Sequence, residues 1–430
     1  MFFKHILFFL CSIIPFELIA DVNQANYEDV LHEQLPFGER ITFPSTFLNQ
    51  AETFDVYLPK SFSTDSDTTR YPLIITMDGW ALSQTVSGIS SHLMNTAALP
   101  NSVVIALHTD VWAMLPSTYV LSTDNWPADP KSRLANAFKN NADNAAEPFW
   151  QFLEKELLPF LEEHYRTNHF RTLVGMSPTA YMTLHTMLEG PDLFNAYILI
   201  AAIDILGLGY TKDKDFADEI IDAAKKGALN NKFLYVASAE FESRREPRHY
   251  DNAKKLNQGL SKHTDKLSFK VENIDNFGHY PVAIPAFTNA LNLIFPRGDF
   301  QKFQAFDKAP GKIISKIVKY YTSLSERYGV TINVPTDIAR NPNSLRSIGY
   351  KLLKREDYIQ AEQAFSLWIS ISDKDPNAYF WLSRVLAAKG ELEKAIINLE
   401  KAIYLSSELA QNNVDYFQTV LTQYKAQTDS

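Results

Sequence analysis

The sequence predicts an α/β protein: a mostly parallel sheet between two helical layers, followed by a second, all-α region. Three observations carry this. Between Ile41 and Phe295, short β-rich runs alternate with amphipathic helical stretches, the pattern of consecutive βαβ units. Most of those runs are apolar almost throughout, as strands covered on both faces must be. After Pro296 the β-rich runs stop, and charged helical segments take over.

In chain order, the first segment is "MFFKHILFFLCSIIPFELIAD". It has a basic start (Lys4, His5), an apolar run from Ile6 to Phe16, and Ala20 just before Asp21. This fits a secretory leader over residues 1–20, and with it a periplasmic destination. The alternative is an uncleaved anchor. The run is shorter than the roughly 20 residues a spanning helix needs, although Leu18 is a poor residue three places before a cleavage point. Cys11, the only cysteine in 430 residues, falls inside this leader. A mature chain would then have neither disulfides nor a thiolate metal site.

"RITFPSTFL" and "ETFDVYLP" read as a leading antiparallel pair. "YPLIITMD", "SVVIALH", "TLVGMS", "AYILIAA", "KFLYVASA" and "LSFKVEN" read as the buried strands. "EPFWQFLEKELLPFLEEHY" has apolar residues at helical spacing, and residues 122–147 are a polar loop fit to rim a cleft. Residues 343–405 repeat internally. Ala361 and Ala395 are 34 residues apart, as are Phe365 and Leu399, and Leu352 and Leu386, with Gly390 at a turn. That period resembles the tetratricopeptide repeat. The expected division is therefore a leader at 1–20, a sheet domain at 21–298 and a helical repeat domain at 299–430, the repeats offering a surface for a protein partner. The net charge of −9 and the lack of a long basic run exclude a nucleic-acid role. No stretch after the leader is long and apolar enough for a stable membrane span.

The chemistry centres on Gly175-Met176-Ser177-Pro178-Thr179, which follows an apolar strand and precedes a helix. A sharp strand–turn–helix lifts a serine hydroxyl above the sheet edge as a nucleophile. Gly175 fits such a turn, while Thr179 stands where glycine is usual. The orienting acid and the histidine base should follow in that order. Glu240 and Glu242 lie just past "KFLYVASA". His279 lies in the loop after "LSFKVEN", with Pro281 suited to the first turn of the next helix. His185 belongs to the helix after the serine and reads as a packing residue.

Residues 41–295 resemble the "putative esterase" branch of the α/β hydrolases, which includes enterochelin-type siderophore esterases, esterase D-like enzymes and feruloyl esterases. The likeness rests on "YPLIITMDGW", on "RTLVGMSPTAYMTLHTMLEGPDLFNAYILIAA" and on "FGHYPVAIPAFTNALNLIF". It implies an α/β-hydrolase fold acting on a small-molecule ester without metal or cofactor. Ser177 would be the nucleophile, His279 the base and Glu242 or Glu240 the acid. Gly79 and Trp80 would supply an oxyanion donor and a pocket wall. The chain departs from the family in "LHTDVWAMLPSTY", which has His108 and Asp110 but no arginine, and whose Trp112 and Met114 suggest a greasier cleft wall.

Pro178 is the sharper departure. The residue after the nucleophile normally donates its backbone N–H to the oxyanion, and proline has none. Losing one such donor typically costs about 10²–10³ in rate. Two readings follow. Either another group, such as Trp80 Nε1–H or a threonine hydroxyl, takes over and the chain is an exported serine esterase, or hydrolysis is lost and a binding module remains.

Overall fold

In the computed structural model, residues 37–108, 146–209, 214–245, 248–300, 306, 312–337, 342 and 344–428 are described. The leader, most of the loop at 122–147, and Asp110, Trp112 and Met114 lie outside them. The chain divides into Met1–Phe37 and Gly38–Ser430, and every element named here belongs to the second unit.

Eight strands form one sheet in the order β1-β2-β4-β3-β5-β6-β7-β8. They are β1 (Glu39–Ser45), β2 (Gln50–Tyr57), β3 (Tyr71–Thr76), β4 (Val103–Leu107), β5 (Thr167–Met176), β6 (Ala196–Ile200), β7 (Lys232–Ala239) and β8 (Leu267–Ile274). β1 pairs antiparallel with β2, and β2 with β4. All other pairings are parallel, with Val174 of β5 between Thr76 of β3 and Ile198 of β6. The C-terminal ends of β3, β5, β7 and β8 therefore open onto one edge, where ligands of open α/β sheets bind.

Alternate residues of each central strand enter two separate cores, which is why these strands read as unbroken apolar runs. Leu73, Ile75, Leu173 and Leu199 face one core. It is covered by α2 (Ala146–Phe152), α3 (Leu158–Tyr165), α4 (Pro178–Glu189), α5 (Phe216–Lys225) and, beyond α6 (Glu240–Arg245), α7 (Arg248–Leu260). Ile74, Val174 and Ile198 face the other, under α1 (Gly79–Asn95) and α8 (Ala283–Ile294). A π turn at Leu153–Leu157 joins α2 to α3.

The second core does not stop at α8. It continues through α9 (Ile313–Tyr328), α10 (Leu345–Lys354) and α11 (Tyr358–Ile371) into α12 (Pro376–Ala388). A smaller cluster joins α12, α13 (Leu392–Glu408) and α14 (Val414–Thr428). Gly390, at φ +80°, makes the turn between α12 and α13. The helices are tied to the loop before β3: Ser66 N donates to Ile371 O at 3.0 Å, and Lys374 N to Thr64 O at 3.1 Å. Buried Asp65 accepts from the hydroxyls of Ser61, Tyr71 and Ser372.

A buried hydroxyl without its acceptor carries an uncompensated desolvation penalty. Asp65→Ala strands two such groups, Tyr71 and Ser372, and is expected to lower the free energy of urea unfolding by about 2–4 kcal/mol.

Candidate active site

The site begins with a close approach. A Cβ on Gly175 would stand 2.4 Å from the Thr179 carbonyl oxygen and 2.3 Å from Thr183 Oγ1. Only glycine lets β5 run this near to α4. The chain reverses within one residue, and Ser177 sits at φ 54°, ψ −120°, a conformation costing a non-glycine residue about 1–3 kcal/mol. The turn is pinned by Ser177 N donating to Ile200 O at 2.9 Å. Thr179 Oγ1 accepts from Met176 N at 2.6 Å and donates to Met176 O at 2.9 Å. A threonine therefore fits the last motif position by closing the turn, and its hydroxyl proton is committed there. Pro178 is the first residue of α4, where its fixed φ suits the helix. Ser177 and Pro178 are half-buried.

Glu240 and Glu242 both lie in α6, directly after β7. Glu242 Oε1 meets His279 Nδ1, and Glu242 Oε2 accepts from Ala239 N at 3.3 Å. Glu240 points elsewhere. It accepts from Asn276 N at 2.9 Å and pairs with Arg244, and the Asn276 N–H above all holds its carboxyl below the usual range. Of the two glutamates, Glu242 is the one paired with the imidazole.

His279 follows β8, three strands from β5, but its loop reaches back across the sheet. The Tyr280 ring stands edge-on to His279 at 5.0 Å and edge-on to Trp80 at 6.4 Å. Trp80 belongs to α1, directly beyond β3 on the far side of β5. Trp80 and Tyr280 are 71% and 62% exposed, an open aromatic rim. α8 begins at Ala283, so Pro281 precedes the helix instead of sitting in its first turn; Pro285 occupies that turn. His185, on α4, is buried, and burial pushes its pKa down to about 4.

Gly79 is the first residue of α1, so its N–H is among those a helix cannot bond internally. A Cβ there would come within 2.6 Å of Leu107 O. Before it stands Asp78, to which the sequence reading gave no role. Asp78 is 6% exposed, makes no side-chain cap to α1, and its Oδ1 has no hydrogen-bond partner. Burial pushes its pKa up to about 6, while the His279 charge pulls the other way. An acid between an apolar strand and a helix reads in sequence as an ordinary N-cap. His108 is occupied at the outer strands, with Nε2 2.8 Å from Asp55 Oδ2.

Among the described residues, no group of three or more His, Cys, Asp or Glu is placed to hold a metal ion. No described helix is long and apolar enough to cross a membrane. A cavity of about 430 Å³ lies away from this edge, between Lys60–Pro72 and Thr331–Asp337. Two of its carboxylates are already bonded internally, Asp65 as above and Asp375 to Asn377 N and Trp368 Nε1.

A mostly parallel sheet with a strained serine turn between β5 and α4 defines an α/β hydrolase. Residues 45–234 match the family described as "Putative esterase", and the chain is an esterase-type hydrolase. The match ends before Glu242 and His279. An IroE-like serine hydrolase from Shewanella oneidensis is 18% identical, with a TM-score of 0.58 over 77% of this chain and 98% of its own. An uncharacterised protein from Capnocytophaga ochracea is 16% identical, with a TM-score of 0.52 over 90% of this chain and 99% of its own. Both likenesses are of fold. No curated protein matches the chain.

The folded-state pKa of Asp78 lies above the unfolded value near 4, so the folded chain holds an extra proton between about pH 4 and 6 and loses stability as pH rises through that window. Asp78→Asn cannot ionise. Thermal and urea unfolding should find it more stable than wild type at pH 8, by up to roughly 3 kcal/mol, with that advantage gone below pH 4.

Proposed function

We propose that the chain is an exported serine esterase with a Ser177–His279–Glu242 triad. Ser177 Oγ attacks the acyl carbon. His279 Nε2 takes the serine proton and returns it to the leaving alkoxide, and Glu242 on Nδ1 holds the working tautomer. Water then resolves the acyl-enzyme by the same route. The reading rests most heavily on the reach of the His279–Tyr280 loop from β8 to Trp80 beside β3, since β5 and its serine lie between those strands. The strained Ser177 backbone and the Glu242–His279 pair support it.

The exposed Trp80 and Tyr280 rings suit an ester with an apolar or aromatic face. Residues 21–298 are read as the catalytic domain. Residues 299–430 are read as a tetratricopeptide-like region that braces the sheet and leaves Ile397 and Tyr404 on its outside for a protein partner. Export follows from the leader read at 1–20. Pro178 favours the second reading, a hydrolase fold retained for binding alone.

A fluorophosphonate probe separates the two. Wild type is expected to label and Ser177→Ala not to; an unlabelled wild type would favour the binding module. On p-nitrophenyl esters, Glu242→Gln, which imposes the wrong tautomer, should lower kcat by roughly 10³–10⁴-fold. Glu240→Gln should leave kcat within a few-fold of wild type.

A further inference from the structure

Residue 178 cannot donate to an oxyanion, and the two replacements that the sequence offers are poorly placed. The Thr179 hydroxyl proton goes to Met176 O. The Trp80 indole is 71% exposed on the rim. The β3–α1 junction, where this fold draws its other oxyanion donor, presents a buried side chain beside the Gly79 N–H. Asp78 is more than nine-tenths buried, next to the strand that carries Ser177, with an unpartnered Oδ1. Its side chain does not cap α1, and its charge interacts with that of His279.

Resting on the triad reading, we propose that Asp78, as a neutral carboxylic acid, donates the oxyanion hydrogen bond that Pro178 cannot. As Ser177 Oγ bonds to the acyl carbon, the carbonyl π pair moves onto oxygen and the serine proton passes to His279 Nε2. Asp78 keeps its own proton and shares it with the oxyanion. When the carbonyl re-forms, the ester C–O bond breaks and the alkoxide takes the proton from His279. A buried carboxylic acid kept neutral is an established kind of oxyanion donor, and burial favours that form here up to about pH 6.

Among the described residues, His279 from the β8–α8 loop acts electrostatically on Asp78, Glu242 pairs with that imidazole, and His108 stands at the end of β4. His108 touches the Gly79 position and is bonded to Asp55. Ionised Asp78 would both lose the donor and repel the oxyanion. The wild-type rate should therefore fall on the alkaline side as Asp78 ionises.

The test is a cycle of Asp78→Asn, Asp78→Ala, Pro178→Ala and Asp78→Ala/Pro178→Ala, using p-nitrophenyl ester kinetics across pH with unfolding curves for each variant. Asp78→Ala is expected to lose about 10²–10³-fold in kcat with KM little changed. Asp78→Asn, which keeps an N–H donor, should retain most activity and lose the alkaline fall. Pro178→Ala, which restores a backbone N–H, should rescue Asp78→Ala. Full activity in a folded Asp78→Ala, or no rescue by Pro178→Ala, would overturn the proposal. If wild type neither hydrolyses the ester nor takes the fluorophosphonate at Ser177, it is the triad reading that fails. Activity in wild type with an indifferent Asp78 removes only the oxyanion assignment.

Discussion

Everything at the catalytic edge depends on how closely α4 approaches β5. Gly175 permits that approach, because any Cβ there would collide with the Thr179 carbonyl and the Thr183 hydroxyl. With the helix so near, the chain has one residue in which to reverse, and that residue takes φ +54°. The strain persists because flanking bonds over-determine the turn: Ser177 N to Ile200 O, and the two Thr179 bonds to Met176. A proline at the next position adds stiffness, since its φ is already helical. The proline that stiffens the turn thus also removes a backbone donor from beside the serine.

The parallel sheet does the rest of the positioning. Parallel strands put all their C-terminal ends on one edge, so side chains distant in sequence need only short loops to meet. β7 delivers Glu242 and β8 delivers His279 side by side, and the two side chains pair. The β8–α8 loop then leans over β7, β6 and β5 until Tyr280 touches Trp80. On the opposite face the sheet's core runs without interruption into the helices after α8. The carboxylate of Asp65 also joins the loop before β3 to Ser372 between α11 and α12. The support under the site thus reaches well beyond the βα units themselves.

Much of this was legible in the sequence because the signals were local. Unbroken apolar runs such as "LIIT" and "YILI" gave the parallel strands, and the 34-residue spacing of Ala361 and Ala395 marked the later helix pairs. The glutamates were harder. Glu240 and Glu242 are two residues apart on one short helix, about 200° around its axis. Spacing shows that they diverge but not which faces His279, because the phase of α6 is set by its packing. The fit of Thr179 is hidden for a similar reason: its hydroxyl bonds are visible only once the turn is folded. Asp78 was passed over because burial and the absence of a partner are tertiary properties. An acid before a helix is a common cap, and only the structure shows that this side chain does not cap α1.

Pro178 and Asp78 are best considered together. A buried carboxyl with an unbonded oxygen works against folding, and a structure selected for stability alone would cap α1 with it or replace it. Proline after the nucleophile works against hydrolysis while suiting the helix. Each residue breaks a local rule, and they do so just past the C-terminal ends of two adjacent strands, β3 and β5. Local conflicts that survive in a folded protein tend to mark function, and here the deficit at residue 178 and the surplus at residue 78 concern the same resource, a hydrogen-bond donor.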